Sequence, residues 1–182
     1  MEMIDIFTRV FGTLGLVLLV CSYQMKSRLG ILGIQIAASF CFCCQFTLLN
    51  ATTGALMNFI GLVRAVLYYF KGKNKFFSSF ALPGVMVVVS VAMTAFSFTS
   101  EGWQAILPGI GMVCTSISGW MTKPMLVRVI SFPSSPVWLI YNVINKSYEG
   151  VLAEVLCMIS IIVGFLRHDI DLKKLLNKKS AE

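Results

Sequence analysis

Seven apolar runs, each closed by a short polar cluster, constrain this chain more than any other feature. A helix that crosses a bilayer needs about 20 apolar residues. The runs lie at about 6–24, 30–48, 53–70, 79–98, 104–121, 126–144 and 149–166. Charged residues make up 13% of the chain, about half the share of a soluble domain. The pattern predicts an all-α membrane protein with seven transmembrane helices. Pro133 and Pro136 interrupt the sixth run, where proline is expected to kink the helix.

Basic residues predict the orientation, because cytoplasmic loops are enriched in Lys and Arg. One side of the predicted topology holds Lys26, Arg28, Lys71, Lys73, Lys75, Lys123, Arg128, Arg167, Lys173, Lys174, Lys178 and Lys179. The other holds Arg9 and Lys146, and Arg64 falls inside a span. The expected N-terminus is outside and the C-terminus cytoplasmic. No cleavable signal peptide is expected, since residues Met1 to Asp5 are acidic where such a peptide is basic. Residues 169–182 form a basic tail. Ile170, Leu172, Leu175 and Leu176 could lie on lipid there as an amphipathic helix, or the tail could be solvated.

Topology explains the net charge of +7 without nucleic acid. The cysteines, Cys21, Cys41, Cys43, Cys44, Cys114 and Cys157, lie inside apolar runs and read as packing residues rather than a disulfide framework or metal site. No nucleophile, base and acid occur together, and no phosphate-binding loop is present. The chain is expected not to be an enzyme and to need no cofactor. His168 reads as a surface residue at the inner boundary.

Shifted by 96 residues, the chain aligns with itself. Gly15, Val17, Ser22, Met25, Ile34, Ser39, Gly54 and Leu56 meet identical residues at 111, 113, 118, 121, 130, 135, 150 and 152. "SYQMKSR" overlays "SGWMTKP", and Asn50–Gly54 overlays Lys146–Gly150. The predicted design is therefore two parallel three-helix repeats joined by a linker helix, a repeat type found in transporters. It divides the chain into a first repeat (1–77), a linker helix (78–102), a second repeat (103–168) and the tail (169–182).

"GLVRAVL", "LPGIGMVCTSISGWM" and "WLIYNVINKSYEG" follow one another in this order, and Glu154 precedes Arg167 by thirteen residues. In these the chain resembles the YgjV-type bacterial inner-membrane proteins. That family is distantly similar to the SWEET and SemiSWEET sugar transporters, which share the 3+1+3 design. The resemblance implies a central cavity. The SWEET asparagine pair on the third and seventh helices corresponds to Asn58 and Glu154, and the SWEET cavity aromatic to Trp138, whose repeat mate is Phe42. The chain departs from SWEETs in its prolines: the first two spans have none.

Glu154 is the residue that most needs an explanation. An ionisable group inside a span costs roughly 2.5–3.5 kcal/mol on insertion scales and ordinarily faces a partner or a wet cavity. Two readings stand open. Glu154 lines a cavity with Asn58, Trp138, Asn142 and Arg64 and binds a polar solute or carries a proton, or it forms an ion pair with Arg64. Gln24, Gln35, Gln45 and Asn145 read as interhelical hydrogen-bonding residues, and Gly12, Gly15, Gly109 and Gly111 as close-packing sites. The expected partners are membrane lipids and a small polar solute, with a monomer or homo-oligomer both allowed. A membrane scaffold held together by its buried polar groups is the competing function.

Overall fold

A computed structural model describes residues 2–23, 28–121 and 124–168. The calls on Gln24, Lys26, Lys123 and the tail at 169–182 lie outside the described residues, as do the side chains of Arg28, Arg128, Arg167 and His168. The described chain is all-helical: α1 (Glu2–Tyr23), α2 (Arg28–Leu48), α3 (Thr52–Tyr69), α4 (Ala81–Glu101), a 3-10 turn (Gly102–Ala105), α5 (Ile106–Ser118), α6 (Pro124–Ser131), α7 (Ser134–Ile144) and α8 (Tyr148–His168).

The apolar side chains point outward. On α4, Val85, Val88, Val91, Phe96 and Phe98 are exposed while Ser90 and Ser97 are buried. On α1, Ile4, Phe7, Leu14 and Val17 are exposed and Thr8 is buried. In water such a surface would aggregate; against lipid it is at equilibrium. Among the described residues, two helices are long and apolar enough to cross a membrane, Glu2–Ser22 and the run Ala81–Ser118; Leu32–Leu48 is a shorter apolar helix. The second run spans 38 residues, too long for one crossing of a core about 30 Å thick. Gly102 takes φ 60° and divides it, so that α5 packs back on α4.

The expected sixth span, 126–144, is two helices. Pro133 stands between α6 and α7, because its ring and missing N–H cannot continue the turn before it. The expected fifth span is shortened to α5.

Packing closes a ring. α1 packs on α2, α2 on α3, α3 on α5, α5 on α7, α7 on α8, and α8 on α1, while α4 packs on α3 and α5. Two corners of the ring carry the same turn. After α2, Asn50 takes φ 56°; Ala51 N–H donates to Phe46 O at 2.9 Å and Asn50 N–H to Thr47 O at 3.1 Å. After α7, Lys146 takes φ 56°; Ser147 N–H donates to Asn142 O at 2.9 Å and Lys146 N–H to Val143 O at 3.2 Å. Both are Schellman caps, which satisfy helix-end carbonyls through one left-handed residue.

Two apolar clusters fill the ring. Phe42, Phe46, Met57, Ile60, Met112, Trp138, Tyr141 and Ala153 form the larger one. Tyr68, Leu82, Met86 and Trp120 form the other, near the opposite ends of α3 and α5.

Candidate functional site

Close approach to glycine positions the aromatic layer. A Cβ on Gly15 would lie 3.2 Å from the Phe42 ring, and one on Gly111 would overlap the Trp138 ring. Trp138 meets the Tyr141 ring edge-on at 5.9 Å and the Phe46 ring at 6.0 Å. Only 9% of Trp138 is exposed, so it is a wall of packed core rather than of open space. Asn142 is 3% exposed. It packs on Gly150, and its Oδ1 has no hydrogen-bond partner among the described residues.

On the corner side of this layer sit two polar knots, each built on a carboxylate. Glu101 Oε1 accepts Thr53 N–H at 2.7 Å, and Glu101 Oε2 accepts the Tyr141 hydroxyl at 2.9 Å. Tyr141 Oη in turn accepts Gly54 N–H at 2.8 Å. A carboxylate from the end of α4 thus caps the first turn of α3, where the helix dipole favours negative charge. In the second knot Gln45 Nε2 donates to Glu149 Oε2 at 2.8 Å, and Arg9 Nη1 donates to Glu149 Oε1 at 3.2 Å. Ser147 Oγ donates to Gln45 Oε1 at 3.2 Å. This knot ties α1, α2 and α8 together.

Sequence reasoning passed over Glu101, Tyr141, Glu149 and Arg9, and gave Gln45 only a helix-joining role. Glu101 is the one acid of "TSEGW" and Glu149 opens α8, so each carried a faint signal. Their partners lie between 40 and 140 residues away in the chain, and two of them are backbone N–H groups.

Beside the aromatic layer lie Arg64 and Glu154. Arg64 donates to Thr115 Oγ1, to Ser116 Oγ at 3.4 Å and to Met112 Sδ at 3.4 Å. Thr115 Oγ1 itself donates to Gly111 O at 3.0 Å. Glu154 takes the buried Ser135 hydroxyl of α7 as its partner. The ion pair between Arg64 and Glu154 is not formed; the salt bridge among the described residues is Arg9–Glu149. Arg64 and Glu154 are both enclosed by the bundle, and both keep accessible surface. They border the aromatic layer from two sides, Arg64 through Met112 and Glu154 beside Ala153. Asn58 is half-buried and donates back to Gly54 O at 2.9 Å.

The structure therefore separates the predicted site residues. Trp138 and Asn142 belong to the packed layer and its corner, whereas Arg64 and Glu154 are each engaged by hydroxyls of a neighbouring helix, α5 and α7 respectively. Cys43 is a packing residue, its thiol 3.4 Å from Ala55 O. His, Cys, Asp and Glu form no group of three that could hold a metal among the described residues.

No curated protein and no solved structure matches the chain. The outward apolar faces, the buried serines and the enclosed charges describe a protein made for lipid. The family model of the Imp-YgjV bacterial inner membrane proteins matches residues 6–171, and the chain belongs to that family.

Proposed function

We propose that this chain is a multi-pass, SWEET-like inner-membrane transporter that moves a small polar solute through a crevice bounded by Asn58, Arg64 and Glu154. In this reading two parallel three-helix units, α1–α3 and α5–α8, are joined by α4, with α6 and α7 together making one broken crossing. The N-terminus lies outside and the C-terminus in the cytoplasm. The chain is no enzyme and uses no cofactor.

Two features favour the duplicated design. The Schellman corners are 96 residues apart and match bond for bond. Gly15 with Phe42 and Gly111 with Trp138 are equivalent close contacts at the same offset. The ring agrees too, since α3 on α5 and α8 on α1 are equivalent seams.

The single observation that carries transport is the pair of opposite charges inside the bundle. Each is held by hydroxyls rather than by the other, and each keeps accessible surface. A structural pair would join to offset the cost of burial. Groups held only by hydroxyls and still accessible keep hydrogen-bonding capacity that suits a polar ligand. The packed layer of Phe46, Trp138 and Tyr141 then serves as the closed outer gate, with the two knots latching it.

The same packed layer favours the second reading, a non-transporting scaffold, because Trp138 has no room beside it for a solute. Uptake into proteoliposomes separates the two. A panel of sugars and small amines is offered with and without a pH gradient. Wild type takes up one class, and Glu154→Gln loses that uptake with its unfolding temperature retained. No uptake by wild type across the panel would return the chain to the scaffold reading.

A further inference from the structure

An apolar groove of about 460 Å³ opens between the start of α4 and the end of α5. That lies in the roughly 300–1,000 Å³ range of small-ligand pockets. Phe80, Gly84 and Val88 form one wall and Ile117, Trp120 and Met121 the other. The groove is not filled from within. A Cβ on Gly84 would meet nothing within 4 Å, and Phe80 and Val88 are 82% and 68% exposed.

Its mouth is cationic. Lys71 Nζ sits 3.8 Å over the Trp120 ring and donates to Trp120 O at 3.2 Å. Trp120 is thus both groove wall and lysine anchor. Lys73 lies 4.8 Å over the Phe70 ring, and Lys73 and Lys75 are exposed. Residues 70–84 and 117–121 contain no acid. An apolar slot whose Trp120 wall carries Lys71, with Lys73 and Lys75 following in the same acid-free loop, has the chemistry of an acyl chain below an anionic headgroup.

We propose that this groove is a binding site for an anionic phospholipid, its acyl chain laid along Gly84 between α4 and α5 and its phosphate held by Lys71, Lys73 and Lys75. The proposal rests on α4 and α5 crossing the bilayer and is independent of transport, so a failed uptake assay leaves it untouched. Trp120 also links the site to the ring. It packs edge-on against Tyr68 at 5.2 Å, and Tyr68 donates to Ser116 O at 2.8 Å, beside the hydroxyl that Arg64 engages.

The test uses the full chain, delipidated in a neutral detergent and titrated with phosphatidylglycerol or phosphatidylcholine. Native mass spectrometry reads retained lipid and thermal unfolding reads stabilisation. Wild type should prefer phosphatidylglycerol. Lys73→Gln with Lys75→Gln should reduce that preference about tenfold to thirtyfold, leaving phosphatidylcholine binding as it was. The Cβ of Gly84→Phe enters open space, so its unfolding temperature without lipid should match wild type while both lipids are lost. Equal binding of the two lipids by wild type would overturn the proposal. So would undiminished phosphatidylglycerol retention by Gly84→Phe.

Discussion

At the corner between α2 and α3, Asn50 holds a left-handed turn and Ala51 N–H reaches Phe46 O; between α7 and α8, Lys146 and Ser147 do the same toward Asn142 O. The backbones agree and the side chains laid on them do not. Gln45 stands where the other corner has Tyr141, Phe46 where it has Asn142, and Asn58 where it has Glu154. Gln45 joins a carboxylate at the start of α8, whereas Tyr141 joins one that caps α3. Backbone geometry tolerates such divergence because a Schellman cap depends on main-chain bonds. The polar groups are then free to specialise, so the positions where the two corners differ are where function should be sought.

The largest effects should fall on the shared glycines. Gly111→Ala would drive a methyl into Trp138, and Gly54→Ala would drive one to 2.7 Å from the Phe46 ring. Each should cost about 2–3 kcal/mol through overpacking, read by denaturant or thermal unfolding in detergent. Gly15→Ala meets Phe42 at 3.2 Å and should cost under about 1 kcal/mol. Equal losses at Gly15 and Gly111 would mean that the two contacts are tighter copies of each other than the side chains suggest.

Next come the knots. Glu101→Ala strands Thr53 N–H and the Tyr141 hydroxyl together and should cost about 2 kcal/mol. Glu149→Ala should cost less, about 1 kcal/mol. Its Arg9 partner is 54% exposed, and a pair open to solvent contributes little. The reverse order would show that the latch is built on α1 rather than on α4. Smaller again is Lys146→Gly, which should stabilise by about 0.5–1 kcal/mol by relieving a left-handed lysine. Asn50→Gly should gain less, because asparagine tolerates that conformation.

Hydropathy made the helical membrane character legible, since it depends on composition over 20-residue windows. The 96-residue shift sets Asn50 over Lys146, and in the structure both hold the left-handed residue of a Schellman turn. The break of the sixth span was readable as a proline risk, and Pro133 rather than Pro136 became the breaking point. Pro136 lies inside the first turn of α7, where its missing N–H leaves no bond unmade. The site was less legible. Arg64 was weighed against Glu154 by charge alone, yet it settles on Thr115 and Ser116, which face it only because α3 packs on α5. Glu101 falls just past the fourth predicted run, and its partners on α3 and α7 are 48 and 40 residues away in the chain.

The smallest stability effect should come from the residue with the most to do. Glu154→Gln keeps an acceptor for the Ser135 hydroxyl and removes an enclosed charge, so the lost charge–hydroxyl bond and the relieved desolvation oppose each other. Stability should move by less than about 0.5 kcal/mol in either direction, while uptake fails. Asn58→Asp makes the converse change at the equivalent position of the other corner. It places a second carboxylate on a half-buried position of the bundle and removes the donor to Gly54 O, so it should destabilise by about 1–2 kcal/mol. If Glu154→Gln instead costs as much as Glu101→Ala, then Glu154 is one more structural carboxylate and the divergence between the corners is packing, not function. If stability holds and uptake goes, the charge at 154 is retained for the solute, because the fold does not need it.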